Sequence, residues 1–120
     1  MIIVTKTFRF EAAHFLPDYS GACKNVHGHG FKLQVTVSGI LDKEVYPSMV
    51  CDFKDIKKIV KEHVIDKLDH SMLNDVLEYP TAENMICWIE LQLVPYFGDH
   101  LVRIRLYETE DSYAEWSKGR

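Results

Sequence analysis

Three histidines carry the strongest chemical signal in this chain. His27 and His29 flank a glycine in His27-Gly28-His29, and His14 closes the segment Phe10-Glu11-Ala12-Ala13-His14. On an extended chain residues i and i+2 point to the same side, so the imidazoles of His27 and His29 can face one ion. If the strand before His14 pairs as a hairpin with the strand that His29 leads into, the third imidazole joins them. The sequence places no obvious fourth protein ligand beside these three. Three protein ligands with an open position is the pattern of catalytic zinc, whereas structural zinc sites close with four, often cysteines. Neutral imidazole also suits nickel, copper or iron. A His-x-His pair also occurs as ordinary surface or packing histidines, so the rest of the chain has to decide.

Groups suited to proton transfer lie nearby in sequence. Cys23 precedes His27 by four residues in a turn-rich loop, Tyr19-Ser20-Gly21-Ala22-Cys23-Lys24-Asn25. A thiol beside a metal and a lysine has its pKa lowered, which makes a thiolate base or nucleophile. Asp69-His70 pairs a carboxylate with an imidazole, a combination that can move protons. A histidine near a helix C-terminus is equally explained by the helix dipole. Glu108 ends a strand and could accept two parallel N–H bonds from a guanidine-like edge, although a strand-end glutamate is commonly just solvated. Glu83 suits the positive start of a helix and needs no other role. His63 reads as a packing residue, His100 as a loop residue, and Cys51 and Cys87 as small buried residues of helical stripes.

The elements that must position these groups are legible from periodicity. Ile2, Val4, Phe8 and Phe10 mark a strand running to Glu11, with His14 just beyond it. Phe31, Leu33, Val35 and Val37 alternate with polar residues in a second strand that His27-Gly28-His29 leads into. Ile56, Ile59, Val60, His63 and Val64 share one helical face between Phe53 and Leu68, with Asp52 as its cap. A second helix starts at Thr81 with the stripe Ala82, Ile86, Ile89 and Leu93, and Pro95 and Gly98 end it. Val102, Ile104 and Leu106 form a third strand, and a short fourth follows around Tyr113 to Trp116. The order ββααββ predicts a single α+β domain over residues 1–120, a four-stranded antiparallel sheet with two helices on one face. Its open edges invite pairing with neighbouring subunits.

Composition narrows the function classes. The chain has 120 residues, 47% hydrophobic and 27% charged, with a formal net charge of −4. Such a balance argues against nucleic acid or an anionic membrane as partner, both of which call for a basic face. No apolar run approaches a membrane span, and the N-terminus does not read as a signal peptide. Three cysteines without framework spacing argue against disulfides and for a reducing cytoplasm.

Phe10-Glu11-Ala12-Ala13-His14, Cys23-x-x-x-His27-Gly28-His29, Leu68-Asp69-His70-x-x-Leu73-Asn74, Pro80-Thr81-x-Glu83-Asn84 and Tyr107-Glu108-Thr109 occur in this order. Together they resemble the family of 6-pyruvoyl-tetrahydropterin synthases and 6-carboxy-tetrahydropterin synthases (QueD), from about Thr7 to Trp116. The strand and helix order matches that family's tunnelling fold, or T-fold. The resemblance implies that His14, His27 and His29 bind Zn2+ and that Cys23 is the catalytic base. Asp69 and His70 would complete the proton relay, Glu108 would anchor the pterin, and Glu83 would lie near the pterin pocket. It also implies a homohexamer, a dimer of trimers with closed barrels and sites between subunits. The implied substrate is 7,8-dihydroneopterin triphosphate. One branch of the family keeps the side chain as a pyruvoyl group. The other cleaves it to acetaldehyde and 6-carboxy-tetrahydropterin on the route to queuosine, and the short chain and compact Cys-x-x-x-His-Gly-His spacing resemble this branch more. Arg9 and Lys24 are candidates by position for phosphate contacts, and Phe15 stands where many relatives carry arginine. A non-catalytic zinc- or pterin-binding protein would need neither the thiol nor the Asp-His pair.

Overall fold

The computed structural model describes residues 1–17, 21, 25–40 and 50–119. Cys23 and Lys24 lie outside these described residues.

Two long strands form the centre of the fold. β1 (Ile2–His14) and β2 (His27–Gly39) pair antiparallel along their whole length, from Ile2 opposite Gly39 to His14 opposite His27. Both run further than the apolar alternation alone suggested, so His14, His27 and His29 lie within strands and not beyond them. Alternation gives the hairpin two faces. One carries Phe10, Ala12 and His14 on β1 and His29, Phe31, Leu33, Val35 and Val37 on β2, nearly all buried. The other carries Thr7, Arg9, Lys32 and Gln34, polar residues that meet water.

β4 (Leu101–Thr109) pairs antiparallel with β2, and β5 (Ser112–Ser117) with β4. A register shift between Thr36 and Val37 sets Leu101, and not the expected Val102, opposite Val37, so Leu101 enters the core and Val102 is left half-buried. Beyond the shift, Ile104 and Leu106 face inward as alternation predicts.

The sheet is a correction to the four antiparallel strands expected. Five strands lie in the order β3-β1-β2-β4-β5, and the added strand β3 (Ser71–Met72) runs parallel to β1, opposite Ala12 and Ala13. The element order is therefore ββαβαββ. The cause lies beside β3. The Asp69 Oδ1 accepts from Glu11 N–H at 2.9 Å, and His70 N–H donates to the Glu11 carbonyl at 2.6 Å, which ties the chain to the open edge of β1.

Helices cover the apolar face. Asp52 caps α1 (Phe53–Val60), its carboxylate accepting from Lys54 N–H. Helical structure continues through a π-helical segment, Lys61–Ile65, into the short α2 (Asp66–Leu68). The inward residues Ile56, Val60, Val64 and Leu68 recur every four positions and are all fully buried. At about 100° per residue, four positions overshoot a full turn by roughly 40°, so a regular helix would carry this stripe around its axis. The wider π turn takes out that drift. Thr81 caps α3 (Ala82–Phe97) by accepting from Asn84 N–H at 3.2 Å. Its buried stripe is Ala82, Met85, Ile86, Ile89, Leu93 and Phe97. Pro95 does not end this helix as expected; it sits inside the last turn, and Gly98 at φ 54° is the stop. Proline removes one hydrogen bond there, to the carbonyl of the exposed Leu91, which water can reach. Cys87 is exposed on α3, against the expectation of burial, and Cys51 is half-buried. His63 stacks on Tyr96 at 4.2 Å, the packing role expected of it. No helix of the described residues is long and apolar enough to cross a membrane.

Candidate metal centre

The apolar columns of the three central strands end in polar donors at one end of the sheet. Phe10–Ala12–His14 on β1, Phe31–His29–His27 on β2 and Ile104–Leu106–Glu108 on β4 run side by side. The three imidazole centroids lie 4.6, 4.8 and 5.0 Å apart. Phe31 forms an apolar floor, edge-on to His29 at 5.5 Å and to His14 at 5.9 Å, and it stacks on Phe10 at 5.0 Å. One donor atom from each of His14, His27, His29 and Glu108 lies within 4.8 Å of the others, close enough to bind one metal ion. The Glu108 Oε1 is 3.0 Å from His29 Nε2 and 3.6 Å from His14 Nε2.

Two of the rings are oriented by the backbone. His14 Nδ1 donates to the Pro80 carbonyl at 2.8 Å, and His27 Nδ1 donates to the Asn25 carbonyl at 2.7 Å. A ring nitrogen that donates to a carbonyl fixes the tautomer and leaves the other nitrogen as a lone pair, the arrangement metal-ligating histidines adopt. Buried polar atoms normally have partners, yet His14 Nε2 and His29 Nε2 are buried with no hydrogen bond. Burial holds the His29 pKa below the ordinary imidazole value, against the raising effect of Glu108 and with a smaller lowering effect from His14 and His27. Its neutral form, the one that ligates, is thereby favoured. Orphaned nitrogens, a His29 ring held neutral and an adjacent carboxylate fit a divalent cation.

A pocket of about 180 Å³ opens beside the cluster, lined by His14, Leu16, His27, Thr81, Ala82, Glu83 and Glu108. Both expected substrate-binding carboxylates thus share the pocket with two of the histidines. Asp69 and His70 are not brought into the cluster. His70 projects from a backbone at φ 57° and is 80% exposed, with its Nε2 3.6 Å from Asp69 Oδ2. It lines an open groove of about 410 Å³ that it shares with Glu11, Gly28, His29 and Gly30. The expected base Cys23 lies outside the described residues. The carboxylate beside the rings is the feature the sequence reading missed, having found no fourth ligand. Its signal was available: Glu108 continues the inward alternation of Ile104 and Leu106 past the end of the core.

Comparison with known proteins identifies the family and the fold. The sequence matches the profile of the family described as 6-pyruvoyl tetrahydropterin synthase over residues 3–118, and the chain belongs to that family. Among relatives, a 6-carboxy-5,6,7,8-tetrahydropterin synthase of a Synechocystis species is 37% identical over 124 residues, covering 100% of this chain and 96% of its own. A dihydroneopterin monophosphate aldolase of Pyrococcus furiosus is 39% identical over 101 residues, covering 82% of each. The fold matches the structure of the Caenorhabditis elegans 6-pyruvoyl tetrahydropterin synthase with a TM-score of 0.84, at 24% identity and covering 97% of this chain and 94% of that one.

Proposed function

We propose that this protein is a zinc-dependent 6-carboxy-5,6,7,8-tetrahydropterin synthase of the cytoplasm. It would convert 7,8-dihydroneopterin triphosphate and water to 6-carboxy-tetrahydropterin, acetaldehyde and triphosphate, a step towards queuosine. The observation that carries this reading is the convergence of His14, His27, His29 and Glu108 at a pocket that also holds Glu83. The histidines would hold the ion. When bound, it supplies Lewis-acid polarisation that makes the substrate's side-chain hydroxyls and the adjoining C–H more acidic.

The chain's own residues account for the rest. Glu108 accepts N–H bonds from the guanidine-like edge of the pterin, which sets the side chain over the histidines. Cys23, as thiolate, takes the side-chain proton. His70 returns protons during rearrangement, with the Asp69 oxygen not taken by Glu11 N–H lying 3.6 Å from its Nε2. The exposure of His70 and the open groove support a site completed by an adjoining subunit, as in a homohexamer. The same site serves retention of the pyruvoyl side chain if bond cleavage fails, so product identity is the test.

Zinc-loaded protein incubated anaerobically with 7,8-dihydroneopterin triphosphate should yield 6-carboxy-tetrahydropterin and acetaldehyde by mass spectrometry. A pyruvoyl product without acetaldehyde would move the protein to the other branch, and no turnover would sink the enzyme assignment. Cys23→Ala should abolish turnover and leave zinc bound; full activity would remove Cys23 from its role.

A further inference from the structure

His14 is the most buried member of the cluster, and two asparagines outside it hold its surroundings. The first grips the chain just past the last paired residue of β1. Phe15 N–H donates to Asn74 Oδ1 at 3.0 Å, and Asn74 Nδ2 donates to the Phe15 carbonyl at 2.9 Å. One amide satisfies both backbone groups of Phe15 where the sheet no longer can. The second acts on the carbonyl that orients the ring. Thr81 N–H donates to the Tyr79 carbonyl at 2.9 Å, a three-residue turn centred on Pro80, and Asn84 Nδ2 donates to the same carbonyl at 2.9 Å. With the Tyr79 carbonyl held there, the Pro80 carbonyl is left to accept from His14 Nδ1 at 2.8 Å. Aspartate could supply acceptors only, and an aliphatic side chain neither donor nor acceptor.

We infer that Asn74 and Asn84 are positioning residues of the metal centre: they fix the backbone after His14 and the carbonyl that sets its tautomer, and so raise its affinity for the ion. The inference rests on the metal-binding reading above. Neither residue lines the pocket beside His14, so their effect reaches the ion through that ring.

The test measures zinc affinity of the intact protein by competition with a chromophoric chelator, and the visible absorption of the cobalt(II) form. Unfolding of the chelated protein is followed in parallel. Asn84→Ala and Asn74→Asp should each weaken zinc binding by about 10- to 100-fold, the effect typical of an outer hydrogen-bond partner of a metal ligand, and alter the cobalt spectrum. Asn84→Gln keeps the donor and should recover affinity, whereas Asn84→Asp should not. A merely structural role predicts a lower unfolding midpoint with zinc affinity and cobalt spectrum unchanged. Affinities within about twofold of the parent in folded variants would therefore overturn the inference. If Asn74→Asp fails to fold, the exposed Asn84 series decides it. A parent protein that binds no zinc would instead overturn the metal reading itself, and the clamp with it.

Discussion

Replacing His29 by leucine would separate what this ring does for a metal from what it costs the fold. In chelator at pH 8 the ring is neutral, so its 3.0 Å approach to Glu108 Oε1 is no ion pair, and its Nε2 is buried without a hydrogen bond. A buried unsatisfied donor or acceptor costs about 1–3 kcal/mol. The side chain is 18% exposed, which puts the cost near the lower end, about 1 kcal/mol. Leucine keeps contact with Phe31 and carries no polar atom, while Glu108, 31% exposed, retains water. The metal-free variant should therefore melt roughly 3–5 °C above the metal-free parent, the shift expected of ~1 kcal/mol in a chain of this length. Zinc at about one hundred times its Kd adds ~2.7 kcal/mol to the parent. That amounts to roughly 8–14 °C, and the variant, left with two rings and Glu108, should gain far less. The order of stability then inverts on adding metal. Thermal unfolding followed by circular dichroism, in EDTA and in zinc, reads all four states. Equal gains from zinc, or a metal-free variant less stable than the parent by more than ~1 kcal/mol, would refute the reasoning.

Other perturbations test the scaffold. Thr81→Ala removes the cap of α3 and should cost about 1 kcal/mol in chemical denaturation. Leu33→Ala, at a fully buried position of β2, should cost about 2–5 kcal/mol by the same assay. The hydrogen bond from Arg105 holds the Glu115 carboxyl below its ordinary value of 4.5. A carboxylate with a lowered folded-state pKa stabilises above the unfolded value and loses that contribution as pH falls through the folded one. Glu115→Gln should therefore flatten the loss of stability below about pH 4.5, measured as denaturation midpoints across the acid range. Alkylation mapped by mass spectrometry should label the exposed Cys87 well before Cys51, whose thiol pKa is pushed up by burial and by Asp55 and Asp52.

Where a feature repeated along several residues, the sequence announced it. The alternation of Phe31, Leu33, Val35 and Val37, the stripe of α3 and the caps at Asp52 and Thr81 are local patterns, and each appears as read. The convergence of three histidines followed from the hairpin alone, because His14 and His27 are directly opposed in its register. Features made by one or two residues against a distant partner were illegible. β3 is two residues long and too short to show a period, and only the hydrogen bonds of Asp69 and His70 to Glu11 create it. The shift that turns Leu101 inward depends on how β4 meets Thr36 and Val37. Pro95 looked like a stop because its missing hydrogen bond was counted and the exposure of Leu91 could not be. Glu108 was read as a pterin anchor at a strand end, and its place beside the histidines was not, although its neighbours' alternation already aimed it there.

The π-helical segment has a consequence for what this chain can tolerate as families diverge by insertion and deletion. Substitutions on the outer side of α1 leave the spacing of Ile56, Val60, Val64 and Leu68 intact. Removing one residue between Lys61 and Ile65 would restore regular winding and leave Leu68 near its present place, because a π turn holds one residue more than an α turn for about the same rotation. Leu68 would keep its socket, and Asp69 its reach to Glu11 N–H. Removing one residue from α1 instead would turn everything beyond by about 100° and draw it back by about 1.5 Å. His70, displayed from the residue after Asp69, would then be addressed to a different part of the surface. The π segment thus marks where a surface helix can lose a residue without moving the proton-transfer group it delivers.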